Sequence, residues 1–289
     1  MVPALLTAVM LAVLFLILLC RRRAGFPAGA PRVLAYHKIA RFEFGGTWMT
    51  PARFRGQIAG LIDDGFRFID EATYLDRLRG NPRPDKKEIL LTFDDGYRDV
   101  LDAAPVLADL GVPALVFLVS DYVGRENRWE LSLPGRRSRH LDWGEIEALA
   151  SAGFFFGSHG RTHRDLTRLG PASLRDETAG SKRAIEDRLR RPVRTFSYPY
   201  GRVDERVQAA TEEAGYEAAF TLYPRRGLLA DRWLLRREGV WIVDTLGTIR
   251  AKLGGGLPAV LEDCKGRAIN AVAVLTPLVK GDGRRNGRD

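Results

Sequence analysis

The sequence predicts an α/β fold, a barrel or an open parallel sheet, behind one N-terminal transmembrane helix. Three observations carry this. From Arg32 onward, short apolar runs alternate with amphipathic segments that carry helix start and stop signals, the pattern of repeated strand–helix units. His37, Asp94, Asp95, His159 and Tyr200 each fall at or just past the end of one apolar run. In a parallel barrel those ends converge on one face, where sites are built. Finally, residues 1–20 contain no charged side chain.

That first segment, from Pro3 to Cys20, would extend roughly 27 Å as a helix, close to the hydrocarbon thickness of a bilayer. It lacks a basic n-region and a small-x-small site before Arg21, so an anchor is expected rather than a cleaved leader. Arg21-Arg22-Arg23 favours the cytoplasm for the downstream side. Residues 21–31 read as a basic linker. The chain has 289 residues, 45% of them hydrophobic, enough for one large domain with a sizeable core. Its formal charge of +9 is spread along the chain and comes with no zinc-finger or RNA-binding signature. Nucleic acid is therefore not an expected partner, and a basic surface near anionic lipid or glycan fits better. Cys20 and Cys264 lie far apart and imply no disulfide framework, so cysteine usage leaves the compartment open.

Taken in order, Val33–Tyr36 reads as a strand ending at His37. Thr50-Pro51 has the form of an N-cap and first helical residue, and Phe54, Ile58, Leu61 and Ile62 then share a face before Gly65. A short strand at 66–69 and a helix through Leu78 follow. Ile89–Phe93 is an apolar strand that ends in Asp94-Asp95-Gly96, with a helix to Leu110 after it, kinked or broken at Pro105. Residues 114–119 form another strand. Ser120–His140 has no clear period and the length of a functional loop. Asp142 with Glu145 makes a capping box, and Phe154–Phe156 is a strand ending at Ser158-His159. A charged helix over 171–190, a strand over 194–198, a helix over 203–214 and a strand over 217–221 complete the pattern. The last strand is expected at 239–243, with a helix to Leu253. Residues 268–279 are apolar and uncapped, either a terminal strand or a membrane-contacting segment.

The chemistry lies at two of the strand ends. Adjacent residues at the end of a strand point in different directions, so one of Asp94 and Asp95 could bind a cation while the other stays free as a base. The chain has only four histidines, and two of them, His159 and His163, are four apart. If that segment turns helically, both imidazoles face one side. Two histidines and one aspartate form a common zinc set with a position open for water.

These residues resemble the polysaccharide deacetylases, the NodB-homology carbohydrate esterases. Thr92-Phe93-Asp94-Asp95-Gly96 is similar to their first motif, Ser158-His159-Gly160-Arg161-Thr162-His163 to their second and Phe196-Ser197-Tyr198-Pro199-Tyr200-Gly201 to their third. The resemblance covers roughly residues 31 to 255. It implies a distorted (β/α) barrel of about seven strands, a divalent metal, usually zinc, and hydrolysis of acetyl groups on sugars. Asp95, His159 and His163 would then bind the metal. Asp94 would be the base that deprotonates the attacking water, and the backbone N–H of Tyr200 would help hold the oxyanion.

Two departures stand out. Ser197 occupies the place of the arginine that usually orients the base, and no acid histidine occurs near the C-terminus. Val33-Leu34-Ala35-Tyr36-His37-Lys38-Ile39, however, resembles the N-terminal motif of a permuted branch that includes the poly-N-acetylglucosamine de-N-acetylases. That likeness makes His37 the acid and Arg237 the replacement orienting group. The organisation expected is thus an anchor at 1–20, a linker at 21–31, a catalytic domain at 32–255 and an extension at 256–289 with a disordered basic tail. The expected activity is metal-dependent removal of N-acetyl groups from N-acetylhexosamine glycans by a single-pass membrane protein. The alternatives are an O-acetyl esterase on polysaccharide and a non-catalytic glycan binder. The branch resemblance points to a periplasmic or extracellular domain, whereas Arg21-Arg22-Arg23 points to the cytoplasm.

Overall fold

The computed structural model describes residues 30–43, 46–80, 85, 87–130, 137–223 and 231–279, and of 271–279 the backbone alone. The expected anchor, residues 21–29 and the tail at 280–289 lie outside these. Among the described residues no helix is long and apolar enough to cross a membrane.

The chain begins with β1 (Arg32–Tyr36), a two-residue β2 (Lys38–Ile39) that pairs with β3 (Trp48–Met49), and helix α1 (Pro51–Asp63). Thr50 caps α1 by accepting from the Arg53 amide, and Pro51 takes the first turn, where its missing N–H leaves no bond unmade. Phe54, Ile58 and Leu61 are buried, whereas Ile62 is among the exposed apolar residues, on the solvent side of the helix. Then come β4 (Arg67–Ile69), α2 (Glu71–Leu78), β5 (Glu88–Phe93) and α3 (Val100–Leu110). The α3 helix runs unbroken through Pro105 and stops at left-handed Gly111 (φ 65°). Next are β6 (Leu115–Leu118), α4 (Trp143–Ser151) with the expected Asp142/Glu145 capping box, and β7 (Phe155–Ser158). Helices α5 (Pro171–Arg175) and α6 (Ser181–Leu189) flank a π-helical turn at Asp176–Gly180, where one continuous helix was expected. The chain closes with β8 (Thr195–Ser197), α7 (Glu205–Glu213), β9 (Ala218–Leu222), β10 (Leu235–Gly239), α8 (Leu246–Gly254) and α9 (Gly256–Val279).

All pairings in the main sheet are parallel, in the order β1-β10-β9-β8-β7-β6-β5, and β1 pairs again with β5, so seven strands close into a barrel. Short β4 pairs with the first half of β5. Strands β1, β5, β6 and β9 are buried almost throughout, as expected where helices cover a parallel barrel from outside and side chains fill it within.

Two strand expectations are also corrected. The last barrel strand is Leu235–Gly239, upstream of the expected 239–243. Its sequence, Leu-Arg-Arg-Glu-Gly, is too charged to read as a buried strand, but every one of these charges has a partner. Arg237 points to Asp94, and Arg236 meets Glu238 and Asp263. The apolar stretch at 268–279 belongs to helix α9 and is not a strand. That helix packs along α8, and Asp263 on it is buried against Arg236.

Candidate active site

The C-terminal ends of β1, β5, β7 and β8 deliver the residues singled out from the sequence to one end of the barrel. At the end of β5, Asp94 continues the ladder through its amide to the Tyr36 carbonyl (2.9 Å). Asp95 then takes a left-handed conformation (φ 68°), followed by left-handed Gly96 (φ 65°). This reversal separates the two carboxylates. A side chain on Gly96 would also meet Leu118, with a Cβ only 2.8 Å from its Cδ2.

Asp95 turns toward the histidine pair. Its Oδ1 lies 3.1 Å from His163 Nε2 and 3.5 Å from His159 Nε2, and all three residues are buried. One ligand atom from each lies within 4.8 Å of the others. The segment between the histidines is not helical, contrary to the conditional expectation. It is an irregular loop with Gly160 at φ 81° and His163 at φ 57°, so convergence comes from a folded-back loop. His159 Nδ1 donates to the Ser197 carbonyl at 2.6 Å, which leaves Nε2 with its lone pair facing Asp95. Burial pushes the His159 imidazole down to about 4, so it is neutral near pH 7. Burial would raise the Asp95 carboxyl, but His163 and His159 outweigh it and hold the group well below the usual carboxylate range. Asp95 Oδ1 is nevertheless a buried oxygen with no hydrogen bond. An ionised carboxylate, a lone-pair nitrogen and a second imidazole around an unsatisfied oxygen suit a divalent cation of the zinc type.

Asp94 faces the other way. Arg237 from β10 grips both of its oxygens, Nη1 to Oδ1 at 2.6 Å and Nη2 to Oδ2 at 2.7 Å, and Nη2 also donates to Ser197 Oγ at 2.7 Å. Burial alone would raise the Asp94 carboxyl. The Arg237 guanidinium outweighs that effect, and the group stays below its ordinary value and ionised. His37, just past β1, brings Nε2 to 4.0 Å from Asp94 Oδ2 and lies against the Trp241 ring at 6.1 Å between centroids. Tyr200 sits in the Pro199–Gly201 turn with φ 59°, its ring edge-on to His163 at 4.6 Å.

Several neighbours carried no legible signal in the sequence. Trp129, from the aperiodic 120–140 segment, stacks on His163 at 4.4 Å and 15°. His140, which has no place in any motif, is buried between Tyr97, Tyr122 and Trp129. Lys38 reaches Glu130 at 2.5 Å and so ties that segment down beside His37. Only the aromatic content of the segment, at Tyr122 and Trp129, could have hinted at a covering role.

The protein is a closed parallel α/β barrel whose acidic, histidine-rich cluster lies at the C-terminal mouth of its strands, the face on which barrel enzymes build their sites. Residues 81–219 match the family model described as polysaccharide deacetylase. The chain is 30% identical over 241 residues to YxkH of Bacillus subtilis, named as a polysaccharide deacetylase, covering 83% of this chain and 78% of that protein. It is 21% identical over 213 residues to the poly-beta-1,6-N-acetyl-D-glucosamine N-deacetylase of Staphylococcus aureus, covering 65% and 71% respectively. In fold it matches IcaB from Ammonifex degensii, with TM-score 0.66 and 24% identity over 78% of this chain and 98% of that one. It also matches the polysaccharide deacetylase BC0361 from Bacillus cereus, with TM-score 0.64 and 24% identity over 77% and 68%. The chain belongs to the polysaccharide deacetylase family and is a hydrolytic deacetylase. His37 and Arg237 both lie outside the segment matched by the family model.

Proposed function

We propose that this protein removes N-acetyl groups from N-acetylglucosamine-containing glycans, with Asp95, His159 and His163 holding a divalent cation, most simply zinc. The observation that carries this reading is the pair of opposed carboxylates. Asp95 is turned to two imidazoles, while neighbouring Asp94 is locked by Arg237 within 4.0 Å of His37. The names of relatives support the sugar, since they act on poly-β-1,6-N-acetyl-D-glucosamine and on chitooligosaccharide.

Bound there, the cation would supply Lewis acidity, acidifying water and polarising the acetyl carbonyl. Asp94, ionised and oriented by Arg237, accepts the proton of the attacking water. In this reading the Tyr200 backbone N–H stabilises the oxygen that gains charge as the carbonyl carbon becomes tetrahedral. His37 Nε2 then donates a proton to the departing amine. Amines are poor leaving groups unless protonated, so an acid is needed beside the base. The His159 hydrogen bond to Ser197 fixes its tautomer, and Trp129 limits water access around His163.

The charge-free segment at 1–20 supports tethering to a membrane. The relatives' polymeric substrates favour a domain on the outer side, against the inward bias of Arg21-Arg22-Arg23. Protease access in intact cells or spheroplasts tests this placement. Acetate release from N-acetylated chito-oligomers, β-1,6-linked N-acetylglucosamine oligomers and acetylated xylan, each with and without chelator, tests the activity. Chelator-sensitive release from the amide substrates is expected. Release from xylan alone would make the protein an O-acetyl esterase, and chelator-insensitive release would remove the cation from the reading.

A further inference from the structure

The π-helical turn between α5 and α6 places a buried carboxylate against the loop that carries both imidazoles. Glu177, within the Asp176–Gly180 turn, is 4% exposed. Its Oε2 accepts from the Arg161 amide at 2.7 Å and the Thr162 amide at 3.0 Å. Its Oε1 accepts from the Thr162 hydroxyl. These bonds all fall between His159 and His163. The opposite side of the loop is held by its own carbonyls, since Gly160 O and Arg161 O accept from the Ser120 and Asp121 amides at 3.1 and 3.0 Å. Gly160 is needed for the close approach. It is left-handed at φ 81°, and a Cβ there would lie 3.0 Å from Glu177 Oε2. The Arg161 guanidinium bridges Asp121 and Asp176, closing the loop from outside.

A π-turn shifts the side chains that follow it out of the register of a regular helix, and such turns recur at functional sites. Here the turn brings a carboxylate, an acceptor for several donors at once, to two consecutive amides that form a small anion-binding nest. The loop must hold His163 in a left-handed conformation, which a non-glycine residue adopts only when its surroundings over-determine it.

We infer that Glu177 is the positioning residue of the cation site, holding the His159–His163 loop in the shape that brings both Nε2 atoms to Asp95. The inference rests on the proposed role of those three residues as cation ligands. It is tested on the full chain by zinc affinity, in competition with a chromophoric chelator, and by amide hydrogen exchange of the zinc-free protein. Glu177→Ala is expected to bind zinc roughly 10–100-fold more weakly. The Arg161 and Thr162 amides should exchange at least about 10-fold faster in it, with the β7 amides unchanged. Glu177→Gln keeps a carbonyl oxygen that can accept both amides, and should stay within a few-fold of wild type.

Wild-type affinity in Glu177→Ala, or a loss in Glu177→Gln as large as in Glu177→Ala, would overturn the inference. If Glu177→Ala does not fold, Thr162→Val, which removes the hydroxyl bond, takes its place. A several-fold weaker affinity is then expected, and an unchanged one overturns the proposal. His159→Ala separates the two levels. Loss of zinc there with none in Glu177→Ala sinks only the role of Glu177, whereas full binding in His159→Ala sinks the cation site and this inference with it.

Discussion

Arg237 and Asp94 form a bidentate pair across the barrel interior, 2.6 and 2.7 Å, although β1 lies between their strands in the sheet. The guanidinium also lies near the Phe117 and Phe220 rings, at 5.3 and 6.0 Å. Removing it leaves a buried carboxylate without its counter-charge. Arg237→Met should therefore lose about 3–5 kcal/mol of stability and roughly 10–100-fold of turnover, read by denaturant unfolding and acetate release. The double variant with Asp94→Asn should regain much of the stability and none of the activity. Equal stability of Arg237→Met and wild type would show that the pair is not the anchor of Asp94.

The proposed function gives the two carboxylates different roles. Asp94→Asn is expected to retain metal and lose turnover, whereas His159→Ala should lose both. Metal content by elemental analysis, measured beside acetate release, separates them. Comparable metal content in the two variants would show the roles to be misassigned.

In the proposed function His37 protonates the leaving amine. An activated ester expels a stable anion and needs little such help. His37→Ala should therefore depress amide hydrolysis much more than hydrolysis of an activated acetate ester, by about 10-fold or more in the ratio of the two rates. Equal loss on both substrates would remove it as the acid.

Away from the site, Glu71 at the start of α2 is 4% exposed and bonds the Thr195 hydroxyl at 2.6 Å. Burial, opposed by Thr195 and Arg194, raises its carboxyl from 4.5 to about 7. Between those values the folded state binds a proton that the unfolded state has released, so stability falls as pH rises through that window. The contribution amounts to at most about 3 kcal/mol. Glu71→Gln should flatten this slope and raise stability at pH 8 relative to wild type, as read by urea unfolding across pH 4–8. An unchanged slope would assign the pH dependence to other groups.

Most strands were legible because burial on both faces of a parallel sheet demands continuous apolar runs, as in Ile89–Phe93 and Leu115–Leu118. The helix starts at Thr50 and Asp142 were legible because capping is local chemistry that a few adjacent residues complete. Asp94, Asp95, His159, His163 and His37 were visible in short motifs, and the structure brings them to one end of the barrel.

The sequence by itself thus determined a parallel α/β fold of alternating strands and helices and which residues stand at its strand ends, and the pairing of β1 with β5 decided that the sheet closes. Tertiary structure decided what satisfies each charge and how the loops turn. Leu235–Gly239 was missed as a strand because its charges are acceptable in a core only with partners at positions 94 and 263, far away in the chain. Trp129 and Glu177 were missed because their places against His163 and against the loop before it depend on contacts between segments 15 to 34 residues apart. Local propensity reads what neighbours in the chain do to one another. Burial of a charge or the fold of the 159–163 loop is settled only when remote segments meet.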